Sequence, residues 1–185
     1  EKIASGIEQK KPEYPVVEDL LEMGDFAVLV VPIDKAAPKG RLILPQQQTI
    51  RGVLEAGATA VVVRDDELWD TLQNLGKKPK LVITDSQVFG KVAKEIPSDV
   101  MLTSFSILFA RYKGELEVQV RGAKALDHLK NGDKVLICEG CTHHRQCGDI
   151  GTEKLPNWIR KHTGQEIEFH FTSGTEFPMD LSEYR

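Results

Sequence analysis

The residues FAVLVVPI at positions 26–33 decide the fold, because they form a continuous apolar run too short for a buried helix. Such a run, rich in β-branched valine, is typical of a strand buried on both faces of a parallel sheet. Similar runs follow at 60–65 (AVVVRD) and 81–85 (LVITD), and VMLTS at 100–104 predicts a further strand. We therefore expect a mainly parallel sheet.

Helical patterns lie between these strands. PQQQTIRGVLEAG has Pro45 where a first helical turn tolerates proline and Gly57 where a helix can end. DDELWDTLQNLG ends at Gly76, and SQVFGKVAKEI starts with Ser86 as a predicted N-cap. Parallel strands need crossover connections, so this alternation predicts an α/β fold with helices flanking the sheet.

The pattern predicts two small domains, each with a mainly parallel sheet flanked by helices. We assign residues 1–17 to a linker that follows another domain, 18–103 to the first domain and 104–185 to the second. Within the second domain, SFSILFARYKG and TEKLPNWIRKHTG predict helices, with Thr152 as a possible cap of the latter.

The second domain also contains three predicted strands. ELEVQV alternates like a half-exposed edge strand, whereas VLIC at 135–138 and EIEFHF at 166–171 predict a small sheet. A sheet of so few strands is marginal, because about three or more are usually needed for stability. We therefore expect that this domain is truncated and continues beyond Arg185.

The composition excludes several classes of protein. Hydrophobic residues make up 41% of the chain and charged residues 28%, as in folded globular proteins. No run approaches the ~18 apolar residues of a membrane span, and the first residues lack the apolar core of a signal peptide, so we expect a cytoplasmic protein. The net charge of −4, without a long basic block, argues against a nucleic-acid surface.

The stretch CEGCTHHRQCG at 138–148 contains all three cysteines of the chain and two of its five histidines. A clustered, odd number of cysteines favours metal or redox chemistry over a disulfide framework. Thiolate and imidazole ligands bind zinc, iron and iron–sulfur clusters. Because the stretch begins at the carboxyl end of a predicted parallel strand, it lies where open α/β sheets bind ligands.

The sequence does not support all candidate ligands equally. Cys138 is the weakest thiol candidate, since it completes an apolar strand and cysteine is often a small core residue. His143 and His144 are adjacent, so they cannot easily both reach one ion, and one of them is expected to face solvent or to form a supporting hydrogen bond. The remaining histidines, His128, His162 and His170, are expected to be surface residues or to have hydrogen-bond partners.

Four stretches carry a resemblance to a known family: VVPIDKAAPKGRLILPQQQTIR at 30–51, KLVITDSQVF at 80–89, LTSFSILFARYKG at 102–114, and CTHH with the following DIG and KLPNWI at 141–159. They resemble HydF, the maturation factor of FeFe-hydrogenase. That family has a GTPase domain, a dimerisation domain and a domain that carries a four-iron four-sulfur cluster. The resemblance implies that this chain comprises the last two.

The resemblance also implies which residues bind the cluster. The family motif is C-x-H followed further along by H-C-x-x-C, and its three cysteines leave one iron with an exchangeable ligand. Cys141 and His143 match the first half, with His144 as a further metal-ligand candidate, but the second half has no counterpart. Cys138 and Cys147 lie outside the pattern. We therefore expect the 4Fe-4S cluster to be absent or incomplete on the chain as written.

Other local groups could serve the exchangeable iron position. The candidates are the side chains around the first half of the motif, namely Glu139, His143, His144 and Asp149. Arg145 could pair with a cyanide ligand, although a solvated surface charge is the simpler interpretation.

By resemblance, the function is that of a scaffold or carrier. It would receive a di-iron unit with carbonyl and cyanide ligands from partner maturases and deliver it to apo-FeFe-hydrogenase. The chain has no G-x-x-x-x-G-K-[ST] phosphate loop, so GTP hydrolysis is not assigned to it and we expect no enzyme. A homodimer is expected, because so small a domain buries proportionally little surface by itself.

Two other functions stay open at this stage. The first is a zinc hydrolase that uses His143, His144 and Asp149 around an ion with an open position, although no helical H-E-x-x-H pattern is present. The second is a dimerisation module in which the CEGCTHH loop is inert.

Overall fold

The computed structural model describes residues 14–33, 42–140 and 149–185. The chain divides into two compact units, Glu1–Glu117 and Val118–Arg185. One contains a four-stranded sheet and the other a two-stranded sheet, both parallel, which confirms the predicted α/β class. No helix within the described ranges is long and apolar enough to cross a membrane.

The sheet of the first unit contains β1 (Phe26–Val30), β2 (Thr59–Val63), β3 (Leu81–Thr84) and β4 (Met101–Ser104). The spatial order is β2-β1-β3-β4, so the chain winds outward from β1 in both directions. Ala27 to Val30 are fully buried, as the continuous apolar run predicts for a central strand.

Helices cover both faces of this sheet. They are α1 (Leu44–Glu55), α2 (Leu68–Asn74), α3 (Phe89–Glu95) and α4 (Phe105–Tyr112). On one face, Leu29 and Ile83 belong to an apolar cluster with residues of α1 and α4. On the other, Val28 packs in a cluster with Leu68 of α2 and Val92 of α3. The first unit is therefore a three-layer α/β structure.

The predicted N-cap of α3 is wrong. The helix begins at Phe89, after Val88, and has no side-chain cap. Ser86 Oγ lies 2.9 Å from Ser106 Oγ instead, so its hydroxyl joins the turn before α3 to the first turn of α4. By contrast, Ser104 caps α4, because its side chain accepts a hydrogen bond from the Ile107 N–H at 3.2 Å.

Two segments that we assigned to the second domain differ in the structure from their predicted place or type. The helix α4 lies in the first unit, where Phe105 and Leu108 join its core. The predicted edge strand ELEVQV is the start of a helix, α5 (Leu116–Ala125). The Glu-Val alternation is too short to exclude a helix, and the following residues include the strong helix formers Ala and Lys, which extend it.

The second unit contains β5 (Lys134–Glu139), β6 (Glu168–Ser173) and α6 (Leu155–Thr163). The two strands pair in parallel, with Lys134 opposite Glu168 and Cys138 opposite Thr172. Leu129, Ile159 and Ile167 form a small core, to which apolar side chains of β5, β6 and α6 pack. Both strands predicted for this sheet are confirmed.

The C-terminal residues contact β5 on the edge that faces away from β6. Tyr184 forms a parallel bridge with Lys134, and the Arg185 N–H donates to the Lys134 carbonyl at 3.0 Å. The Asp133 carbonyl accepts from the Glu168 N–H of β6. Because successive residues of a strand direct their backbone groups to opposite neighbours, β5 lies between β6 and the C-terminal residues.

Candidate metal centre

The three predicted metal ligands, Cys141, His143 and His144, lie outside the described residues. The same holds for Arg145 and Cys147. The structure does describe both ends of this loop, which leaves β5 after Glu139 and Gly140 and returns at Asp149.

The side chain of Glu139 joins the two ends of the loop. A Cβ built on Gly151 would stand 2.8 Å from Glu139 Cδ and closer still to Oε1, so the carboxylate occupies the space beside the glycine. The Glu139 backbone is fixed as well, because its carbonyl accepts from the Gly174 N–H at 2.9 Å, just beyond β6. The loop therefore starts and ends at the carboxyl edge of the small sheet.

Asp149 caps the helical turn Ile150–Lys154 that precedes α6. Its Oδ2 accepts from both the backbone N–H and the hydroxyl of Thr152, each at 2.8 Å. The Thr152 N–H is the main cause that holds the pKa of Asp149 below its ordinary value, followed by the Thr152 hydroxyl, and the Gly151 N–H lowers it further. The prediction of Thr152 as the cap is thus wrong, since Thr152 is the donor.

These contacts bear on the candidates for the exchangeable ligand. Glu139 lies against Gly151, and Asp149 accepts two hydrogen bonds from Thr152. Both carboxylates therefore make contacts that hold the ends of the loop. Within the described ranges, no group of three or more His, Cys, Asp or Glu side chains is arranged to hold an ion.

Cys138 is exposed at the carboxyl end of β5. Its partner in the register is Thr172, whose hydroxyl oxygen is buried without a hydrogen-bond partner. Cys138 ends an apolar strand as predicted, but its exposure shows that it is not a small core residue, and it lies next to the loop that carries the other two cysteines.

Two of the remaining histidines form hydrogen bonds within the second unit. His162 Nε2 lies 2.7 Å from Asp127 Oδ1. His170 lies between Tyr184 Oη at 2.9 Å and Glu168 Oε1 at 2.7 Å. These two side chains have partners, as predicted, and His128 is exposed.

The open edge of β2 is a second surface of interest, since AVVVRD is an apolar strand and β2 lies at one end of the sheet. The Thr59 N–H donates to Asp25 and the Val63 carbonyl accepts from Val31, so the backbone groups of Ala60 and Val62 face away from β1. The strand reads TAVVV, without charge or proline, and Val62 is 46% exposed. Such an uncharged edge is suited to pairing with another strand.

Comparison with known proteins gives two family matches. The model described as the hydrogen maturase F dimerization domain matches residues 16–114. The model described as the hydrogen maturase F tetramerization domain matches residues 117–185. Comparison with curated proteins gives no match.

A solved structure from a study of fatty acyl-adenylate ligases from E. coli and L. pneumophila is similar over 87% of this chain, with a TM-score of 0.40 and 13% identity. This chain spans 33% of that one, and so low a similarity carries no functional argument.

The two family matches meet where the two compact units meet, after Glu117 in the structure and between 114 and 117 in the matches. The first covers the four-stranded sheet with its helices, and the second covers the small sheet with the loop described above. Together they account for the described part of the chain from Val16 onward. The chain therefore belongs to the hydrogen maturase F family.

Proposed function

We propose that this chain is part of an oligomeric scaffold of FeFe-hydrogenase maturation, and that the loop after β5 supplies part of the ligand set of a four-iron four-sulfur cluster. In this proposal it carries a di-iron unit with carbonyl and cyanide ligands from partner maturases to the apo-hydrogenase in the cytoplasm. The role in hydrogenase maturation and the self-association follow from the family. The cluster, the cargo and the absence of catalytic activity are what we propose beyond the family assignment.

The observation that supports the cluster is the position of the loop. It leaves the carboxyl end of β5, which is the edge where parallel sheets bind ligands. Glu139 and Asp149 hold the two ends of the loop near one another through contacts around Gly151 and Thr152. A loop with fixed ends needs less ordering when it binds a ligand.

The donor chemistry fits an iron–sulfur cluster. Cys141 would supply a thiolate, and His143 or His144 would supply an imidazole to an exchangeable iron position. When bound, the cluster supplies an iron whose weak ligand can be replaced by the cargo and restored on its release. Glu139 and Asp149 are already engaged in contacts, so the imidazoles are the better candidates for that position.

Anaerobic reconstitution with iron and sulfide tests the cluster. We expect Cys141→Ser to lose most of the bound iron and visible absorbance, while the matched variant Cys147→Ser keeps both. Equal iron on Cys141→Ser and the unmodified chain would refute the assignment. Bound zinc together with hydrolytic turnover would favour the zinc hydrolase instead.

The cargo is tested separately. After incubation with the partner maturases and repurification, the reconstituted chain should show infrared bands of carbonyl and cyanide bound to iron. The His143→Ala variant should keep its iron and show weaker bands. Bands of equal intensity on a chain without iron would contradict a cluster-held cargo.

The proposal for self-association places the dimer contact at the open edge of β2. Two copies related by a two-fold axis would pair β2 with β2 in antiparallel orientation, so that Ala60 of one copy exchanges backbone hydrogen bonds with Val62 of the other. The axis would then pass beside Val61. This arrangement joins two four-stranded sheets into one and covers the exposed Val62.

A further inference from the structure

The helix α5 is largely exposed in the described part of the chain. None of its residues from Leu116 to Ala125 is buried, and Val118 and Val120 are 63% and 44% exposed. A helix of this length is marginal in water without tertiary packing, and β-branched valine lowers its propensity further. Its sequence is thus better suited to a helix that packs against another surface.

Gly122 lies in the middle of α5, where glycine weakens a helix. Its φ is not positive, so the backbone does not require glycine. A Cβ at this position would meet nothing within 4 Å, so packing in the chain does not require it either. The missing side chain would instead allow the close approach of a surface from outside the chain.

A groove of about 530 Å³ begins beside this glycine. Its apolar lining consists of Ala125, Leu126 and Leu129 beside Gly122, and its polar and charged lining residues are His128, Lys130, Asp133 and Arg185. Val118, Gly122 and Ala125 recur at helical spacing and so share one side of α5. The groove therefore extends an apolar surface along the helix.

We propose that α5 of a second copy packs on this surface in antiparallel orientation and crosses near Gly122. The inference rests on the self-association part of the proposed function, because the tetramerization model matches from Glu117, at the start of α5. We therefore take a second copy of the chain as the partner that packs on this surface.

The charges of α5 select the antiparallel orientation. Glu117 lies in the first turn and Lys124 in the last. Antiparallel helices that cross beside Gly122 with Val118 level with Ala125 place Glu117 of each copy within one helical turn of Lys124 of the other. Parallel helices would place like charges together, which is unfavourable.

The first test measures association of the whole chain by sedimentation velocity. Gly122→Leu should raise the dissociation constant of the assembly larger than a dimer about tenfold or more. Gly90→Leu is the matched control, because Gly90 lies in a helix and a Cβ there also meets nothing within 4 Å. No assembly beyond a dimer in the unmodified chain, or equal effects of the two variants, would overturn the proposal.

The second test exchanges charges between the copies. Glu117→Lys and Lys124→Glu should each weaken the assembly, and the double variant should restore it. Circular dichroism checks that every variant keeps its helix content. A double variant weaker than both single variants would overturn the antiparallel contact. Iron binding is measured independently, so a failure here leaves the cluster assignment standing.

Discussion

The carboxylate of Glu139 occupies the space into which a side chain at position 151 would project. The two residues lie on opposite sides of the loop that contains Cys141 and His143, so their contact fixes the distance between the loop ends. Since the Glu139 carboxylate is the far end of a flexible side chain, a larger residue at 151 would displace it and leave the fold intact.

This relationship predicts an interaction between two substitutions. Gly151→Ala should destabilise the chain modestly by displacing the Glu139 carboxylate, and in a Glu139→Ala background the same change should cost almost nothing. We expect a coupling of about 0.5–1 kcal/mol in a double-mutant cycle by urea unfolding. Additive effects would show that the two residues do not contact. Gly140→Ala is the control, because a Cβ there meets no atom within 4 Å.

Ionisation of Asp149, at the end of the loop, makes the stability of the folded chain depend on pH. Its pKa is lowered in the folded chain, chiefly by the Thr152 N–H, so its ionised form stabilises the fold. This contribution is complete above the unfolded-state pKa of about 3.9 and is lost as the pH falls through the lower folded value. Asp149→Asn should therefore be less stable than the unmodified chain near neutral pH, and the difference should shrink in acid.

The comparison variant for Asp149 is Thr152→Val. It removes the hydroxyl donor but keeps the Thr152 N–H, which is the larger cause of the lowered pKa. We expect it to lose less stability than Asp149→Asn at neutral pH. A difference between Asp149→Asn and the unmodified chain that is constant with pH would contradict the assigned cause.

The sequence predicts the buried elements well and the exposed ones poorly. FAVLVV, LVIT and VLIC are strands because a strand covered on both faces must be apolar at every position, and this pattern is visible without a structure. ELEVQV has no buried residue to fix its period, so the alternation was misleading and the segment is helical in α5.

At the candidate site, the position of the loop after VLIC could be predicted because parallel strands carry their loops at one edge. The capping role of Asp149 was missed, although aspartate is a preferred N-cap, because Thr152 is also a capping residue type. The requirement for Gly151 could not be predicted, since the Glu139 side chain that creates it comes from a different element.

The pair Asp19–Arg111 connects the segment before β1 with α4 and supports the assignment of α4 to the first unit. Arg111 Nη1 donates to Asp19 Oδ1 at 3.0 Å, Nη2 donates to Oδ2, and the guanidinium lies 4.6 Å from the Tyr14 ring centroid. The hydrogen bond from Arg111 is the main cause that lowers the pKa of Asp19. Its stabilising effect is therefore present above the unfolded-state pKa and lost in acid.

We expect Asp19→Asn to lower the urea midpoint near neutral pH, and the difference should shrink as the pH falls below the unfolded-state pKa of about 3.9. Glu55→Gln is the matched control, because Arg51 and Glu55 also form an ion pair but their side chains are 76% and 50% exposed. Such surface pairs contribute little to stability. Equal losses in the two variants would contradict a specific role for the Asp19–Arg111 pair.

The iron content of the chain is a further prediction. Only Cys141 among the three cysteines matches the family pattern, and one thiolate cannot supply most of the binding free energy of a cluster. After reconstitution and desalting, iron and sulfide should therefore be well below four of each per chain. A full complement would show that Cys138 and Cys147 also act as ligands, and Cys138→Ser would then lower it.

The dimer contact can be separated from the contact through α5 by a charge on the edge of β2. Val62→Lys places a hydrated ammonium group on the strand that we propose to pair with its copy, and an edge lysine disfavours strand pairing. Met101→Lys on β4, the opposite edge of the sheet, is the matched control, because Met101 is 45% and Val62 46% exposed. We expect light scattering after size exclusion to show loss of the β2 contact for Val62→Lys only. If Met101→Lys alone dissociates the dimer, the sheets pair through β4 instead, and if neither does, the dimer contact is not at a sheet edge.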